Sequence, residues 1–255
     1  MSVGEQTKEA TGLDLPTYDD VARAHARIRP HIHETPVQTC TTMNALSGAE
    51  LFFKCENFQK AGAFKVRGAA NAVFGLSDTR AANGVATHSS GNHALSLSYA
   101  GGRRGIPVHV VMPHSAPRAK KDAVRGYGGQ ITECEPSTSS REAVFAGVQE
   151  RTGADFVHPY NDPRIIAGQG TCAKEMLAQI EGLDAVIAPI GGGGMVSGTC
   201  LTLAALAPHI EIYAAEPEAA DDAYRSFKSG TLIQDDAPQT IADGLKVPMK
   251  EYTWH

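Results

Sequence analysis

The stretch Ala185-Val186-Ile187-Ala188-Pro189-Ile190-Gly191-Gly192-Gly193-Gly194-Met195 is the most informative in the chain. Its first six residues, AVIAPI, form a short apolar run that reads as a buried strand. From Met195 to Leu206 the pattern is helical. Between them, four glycines let the backbone turn tightly and aim several N–H groups at one point. The helix that follows adds the positive end of its dipole. Strand, glycine run and helix together make a phosphate cradle. It is not a Walker A loop, because no lysine follows the last glycine, and Val196 and Ser197 occupy the place of the third glycine of a dinucleotide fingerprint. The competing reading is a flexible loop, but four glycines between two regular elements cost conformational entropy with no gain in packing.

On either side of this turn, short apolar runs alternate with helical patterns. Leu51–Cys55, Val85–His88, Val108–Met112, Ile131–Cys134 and Ile210–Ala214 read as strands. Lys65–Phe74, Asn92–Gly101, Ala119–Tyr127 and Ser140–Thr152 read as helices. This βαβα rhythm predicts an α/β fold with parallel sheets covered by helices. There is no internal repeat. Met1–Gly12 is polar and reads as a disordered leader, and the chain stops at Tyr252-Thr253-Trp254-His255 without a cap, so a further segment of the large domain is expected to be missing.

The bulk properties exclude several function classes. The 255 residues are 42% hydrophobic and 20% charged, as in an ordinary globular protein, with net charge -5. Interspersed charges of that sign argue against nucleic acid and anionic membrane as partners. No apolar run is long enough to span a bilayer. Five cysteines match no zinc or redox spacing and suit a reducing compartment, so the cytoplasm is the expected location.

Two further segments carry chemistry. Phe64-Lys65-Val66-Arg67-Gly68 opens a helix, and a lysine at a helix start beside an aromatic can be desolvated into an amine nucleophile. Most lysines are simply solvated, so alone this signal is weak. Ser89-Ser90-Gly91-Asn92-His93 follows a strand and opens another helix, offering hydroxyls, an amide and free N–H groups to a carboxylate or ring hydroxyl. A plain serine N-cap is the competing reading.

Taken with Lys54-Cys55-Glu56-Asn57-Phe58-Gln59, these motifs in this order resemble the serine racemase and threonine dehydratase family of pyridoxal-phosphate enzymes, of the tryptophan-synthase-β-like fold type. Cys134-Glu135-Pro136-Ser137 and Ala214-Ala215-Glu216-Pro217 resemble its serine racemase and 3-hydroxyaspartate dehydratase branch. The resemblance implies that Lys65 holds the cofactor as a Schiff base, with Phe64 beside the cofactor ring and Asn92 on its phenolic oxygen. It implies phosphate binding by Gly191, Gly192, Gly193, Gly194 and Met195. Ser89, Ser90, Gly91, Asn92 and His93 would cradle the substrate carboxylate, with Ser90 also catalytic on the face opposite Lys65. It further implies a large cofactor-binding domain from 1–83 and 153–255, a small mobile domain from 84–152 that closes over the substrate, and a homodimer. Two features depart from the family: Ala63 replaces a serine two residues before the lysine, and the chain ends before a late Ser-Gly-Gly-Asn turn that meets the pyridine nitrogen.

The spacing of Glu216-Pro217-Glu218-Ala219-Ala220-Asp221-Asp222 alone suggests a solvated acidic loop. The family branch instead implies that Glu216, the Ala220 carbonyl and Asp222 bind Mg²⁺, Mn²⁺ or Ca²⁺. An arginine at the position of Arg141 implies recognition of a second substrate carboxylate. The expected function is therefore dehydration of a β-hydroxy amino acid, with 3-hydroxyaspartate preferred to serine or threonine. A serine racemase, a β-replacement enzyme of the cysteine-synthase type and a non-catalytic phosphate-ligand regulator are the alternatives.

Overall fold

The computed structural model describes residues 12–234 and 238–255, so the expected leader falls almost wholly outside the described residues. The order of elements begins α1 (Tyr18–Ile28), β1 (Val37–Thr39), α2 (Thr41–Ser47), β2 (Phe52–Lys54), α3 (Lys65–Phe74) and α4 (Asp78–Ala82). It continues β3 (Val85–His88), α5 (Asn92–Arg104), β4 (Val108–Pro113), α6 (Arg118–Gly126), β5 (Gln130–Cys134), α7 (Thr138–Thr152) and β6 (Asp155–Phe156). The last part is α8 (Pro163–Gln179), β7 (Ala185–Pro189), α9 (Gly194–Leu206), β8 (Glu211–Ala215), α10 (Asp222–Ser229) and α11 (Glu251–Trp254).

Strands β3 to β6 form one parallel sheet in the order β5-β4-β3-β6. Strand β6 joins it beyond residue 152, where the sequence placed the edge of the small domain, because Asp155 and Phe156 pair with Val85 and Ala86. One face packs Val85, Val108, Val110 and Met112 against Leu97 and the small residues of α3. The other buries Ala86 and Val111 against Phe145 and Val148 of α7. A second parallel pair, β7-β8, packs Ala188 and Ile190 against Val196, Ala223 and Met249. Strand β7 is not buried on both sides as its apolar run predicted. Val186 and Ala188 are buried, whereas Ile187 is 69% exposed, because the pair is covered on one face only. Strands β1 and β2 form a separate antiparallel pair.

Helix α8, which the sequence pattern did not single out, organises the site. Asp162 caps it by accepting from the Arg164 N–H at 2.9 Å, and Pro163 occupies its first turn, where a missing N–H costs nothing. Glycines let its neighbours approach closely. A Cβ on Gly168 would lie 2.5 Å from Gly68 Cα in α3, and one on Gly198 of α9 would lie 2.5 Å from the Gly170 nitrogen. Helices α3 and α9 are thereby clamped to α8, which fixes the openings of both, Lys65 and the glycine turn, in one frame.

Candidate active site

Lys65 is the first residue of α3, preceded by a tight turn in which Ala61 adopts a left-handed conformation (φ 57°), alone among the described non-glycine residues. Its Nζ donates to the Pro159 carbonyl at 2.9 Å and lies 5.3 Å from the Phe64 ring centroid and 6.0 Å from that of Tyr160. No carboxylate pairs with it among the described residues. Burial without a counter-charge disfavours the ammonium and pushes its pKa down to about 8, which makes the free amine accessible near neutrality.

The glycine turn is built for backbone alone. A Cβ on Gly192 would lie 2.4 Å from the Tyr160 ring, one on Gly193 (φ +87°) 2.7 Å from Thr253 Cβ, and one on Gly191 2.9 Å from Leu245 Cα. Gly193 is the N-cap of α9 and no side chain caps that helix, so the first N–H groups of α9 lack intrahelical acceptors. A buried helix start that is closed to side chains and rich in free donors fits a phosphate. Tyr160 spans the distance from this turn to Lys65. Its hydroxyl pKa is pushed up to about 12 by burial, so the phenol stays neutral.

The Ser89–His93 turn leads from β3 into α5. Helix α5 also starts without a side-chain cap, with Ser90 and Asn92 exposed and Ser89 half-buried. His93 is the second residue of this helix. Its ring is 2% exposed, Nε2 meets the Val157 carbonyl at 3.1 Å, and burial together with the charge of Lys65 lowers its pKa to about 3. The imidazole is neutral and directed into the core, so what His93 offers an anion is its backbone N–H at the helix start. Arg141, in the first turn of α7, is half-buried; its Nε is buried without a partner. Its charge bears on His88, His158 and Tyr160.

The sequence reading missed one segment, Val157-His158-Pro159-Tyr160-Asn161, which links all these parts. Val157 receives His93 and Pro159 receives Lys65. Tyr160 walls the glycine turn, while Asn161 bonds Glu251 and the Tyr252 N–H, both at 2.9 Å. His158 Nδ1 accepts from the Asn161 N–H at 2.9 Å and the Tyr160 N–H at 3.3 Å, so its Nε2 carries the hydrogen. The signal available was a proline-broken, aromatic- and histidine-bearing run directly before a helix cap.

Among the described residues, the acidic loop forms no hydrogen bond or ion pair with Lys65, although the Asp222 charge bears on Tyr160. Glu216 accepts from the Tyr224 and Ala223 N–H groups at 2.7 and 3.3 Å and so caps α10, with Ala220 and Asp222 buried beside it. Burial, and then the nearby Asp222 and Asp221, raise its pKa. Among the described residues no three His, Cys, Asp or Glu side chains are grouped to hold a metal, and the expected ligand set has two such side chains and a carbonyl.

Comparison with known proteins agrees with this geometry. Residues 28–255 match a family model described as pyridoxal-phosphate dependent enzyme. The chain is 71% identical over 241 residues to the beta-hydroxyaspartate dehydratase of Paracoccus denitrificans, covering 94% of this chain and 76% of that protein. It is 50% identical over 250 residues to the serine racemase of Arabidopsis thaliana, covering 98% and 75%. Among solved structures, maize serine racemase superposes with a TM-score of 0.93 at 48% identity, covering 94% of this chain and 73% of that one. The serine racemase of Dictyostelium discoideum gives 0.90 at 46% identity, covering 94% and 77%. No helix among the described residues is long and apolar enough to cross a membrane.

Proposed function

Because the chain belongs to the pyridoxal-phosphate-dependent enzyme family, we propose that it is a dehydratase of β-hydroxy amino acids acting on 3-hydroxyaspartate, which yields oxaloacetate and ammonia. The observation that carries this reading is the 71% identity to a beta-hydroxyaspartate dehydratase, and the site supports it.

The free N–H groups opening α9 would hold the cofactor phosphate, and Lys65 would hold its aldehyde carbon, with Phe64 and Asn92 beside the ring. Bound there, pyridoxal phosphate supplies an electron sink for the pair left at the substrate Cα. The N–H groups of the Ser89–His93 turn orient the α-carboxylate. Lys65 Nζ, with its pKa near 8, takes the Cα proton. The β-hydroxyl leaves as water, and hydrolysis of the eliminated product gives the keto acid and ammonia. Arg141, whose Nε lacks a partner, is suited to the distal carboxylate. Ser90 is the proposed proton-bearing group on the face opposite Lys65, and the unit from 84–152 the part that closes over the substrate. Glu216, the Ala220 carbonyl and Asp222 are the proposed ligands of a structural divalent cation. A cytoplasmic homodimer completes the reading.

Keto-acid release measured across the hydroxyaspartate isomers, serine and threonine tests the proposal. Hydroxyaspartate should give the highest kcat/KM, with oxaloacetate as product. The serine racemase relatives support a second reading. Interconversion of serine enantiomers that outruns keto-acid release from every substrate would replace the first reading with it.

A further inference from the structure

The residues around His88 and His158 indicate how the substrate's second charge is read. Lys250 immediately precedes α11, and its backbone is fixed: its N–H donates to Thr253 Oγ1 at 3.0 Å and its carbonyl accepts from the Trp254 N–H at 2.8 Å. Its neighbours form a wall of the glycine turn, since a Cβ on Gly193 would lie 3.4 Å from Met249 Cγ and 2.7 Å from Thr253 Cβ. The next residues, Glu251 and Tyr252, are tied to Asn161. Lys250 is thus rooted between the phosphate cradle and the segment that carries His158.

Its side chain is half-buried, yet its ammonium forms no hydrogen bond or ion pair among the described residues, and the adjacent Glu251 carboxylate is engaged with Asn161. After burial, Lys250 is the largest influence holding His158 un-ionised, and it acts on His88 as well. Arg141 acts on the same two rings, whose centroids are 6.0 Å apart. Two cations with no hydrogen-bonded carboxylate among the described residues therefore bear on one ring pair, Arg141 with its buried Nε unpartnered and Lys250 on the segment tied to Asn161; Glu251, which feels the Lys250 charge, is bonded to Asn161. A fork and a point charge are complementary donors to one carboxylate.

We propose that Lys250 acts with Arg141 as a second cation for the distal carboxylate of a dicarboxylic substrate, so that the segment leading into α11 selects for substrate charge. This rests on the dicarboxylate reading above and adds the residue that enforces it. A dianionic substrate satisfies both cations, whereas a monocarboxylate leaves both unpaired, so selection works by penalty as well as attraction.

The test is binding of L-aspartate and L-2-aminobutyrate to the holoenzyme by calorimetry. The two have equal chain length, neither has a hydroxyl to lose, and only aspartate carries the second carboxylate. Lys250→Met should weaken aspartate by about ten- to a hundredfold and leave 2-aminobutyrate within about twofold, as expected for loss of one charge-assisted contact. Lys250→Arg should restore most of the difference, and cofactor affinity should be unchanged in both variants. Equal loss on both ligands, or release of cofactor, would show Lys250 to be a phosphate or structural contact and overturn the proposal. If Arg141→Met loses aspartate while Lys250→Met does not, only the Lys250 assignment falls. If the wild-type enzyme does not prefer aspartate, the dicarboxylate reading falls and takes this inference with it.

Discussion

Lys65 and Arg67 stand two residues apart in the first turn of α3, about 200° around the helix axis, and so on opposite faces. Arg67 is fully buried and all five of its donors are used. Glu56 and Glu175 each take two at 2.7 Å, and Thr171 Oγ1 takes the fifth at 3.2 Å. Glu175 is held in turn by Lys54 at 2.9 Å. On the other face, Lys65 meets one carbonyl and two aromatic rings. Burial alone, then, does not decide what a cation does. Where carboxylates surround it, its charge is locked and it becomes a structural tie; where only neutral groups surround it, the proton is easily lost and the group becomes chemical.

The largest expected effect lies on the chemical side of this contrast. Lys65→Ala should abolish both turnover and covalent retention of pyridoxal phosphate after borohydride reduction. A reducible adduct that persists in this variant would show that another amine holds the cofactor.

On the structural side, Arg67→Met leaves Glu56 without a cation and Glu175 with Lys54 alone, which should cost about 3–5 kcal/mol of stability. Urea unfolding of the apoprotein checks this. Adding Glu56→Gln to Arg67→Met should recover part of the loss, because the carboxylate left without a cation is then removed, while Glu175 keeps Lys54. An unchanged midpoint in Arg67→Met would mean that the network contributes nothing net.

A pH series probes the same contrast more finely. The rate of cofactor capture by the apoprotein should rise about tenfold per pH unit below roughly 8 and level off above it, since only the neutral amine attacks. Lys65 has a lower pKa folded than its ordinary 10.5, so the unfolded chain binds more protons between about 8 and 10.5. Its contribution to apoprotein stability therefore increases as pH rises through that window and should vanish in Lys65→Met. A capture rate that is flat from pH 6 to 9 would contradict a depressed lysine.

The smallest effect concerns the inverse case. Glu216 is a carboxylate held by backbone N–H groups rather than by a cation, and burial and then Asp222 and Asp221 raise its pKa. That of Glu175 is lowered, because its bonds to Arg67 and Lys54 outweigh its own burial. Magnesium should raise the melting temperature by about 2–4 °C for each kcal/mol of binding, reversibly with chelator, and Glu216→Gln should remove the response. Identical melting with and without metal would leave the loop as a helix cap.

Features with local causes were legible in the sequence. Four glycines after an apolar run pointed to a backbone-lined turn, the SSGNH run to a helix start, and the strand–helix alternation to parallel sheets, although β2 pairs antiparallel with β1. Lys65–Phe74 and Val85–His88 fall where the pattern placed them. Taken together, the motifs also pointed to the family. Which groups those parts meet was settled only by the packing of distant elements. Pro159 lies 94 residues from Lys65, and Glu175 lies 108 from Arg67. Those pairings exist because glycine contacts press α3 and α9 against α8, a helix whose small-residue faces give little amphipathic signal. The inward turn of the His93 ring, the open face of β7 and the unpaired charges of Arg141 and Lys250 arise in the same way. Periodicity reports whether a residue faces a core, whereas its partners are set by how remote segments of chain come together, and partners decide whether a buried charge is held or free to react.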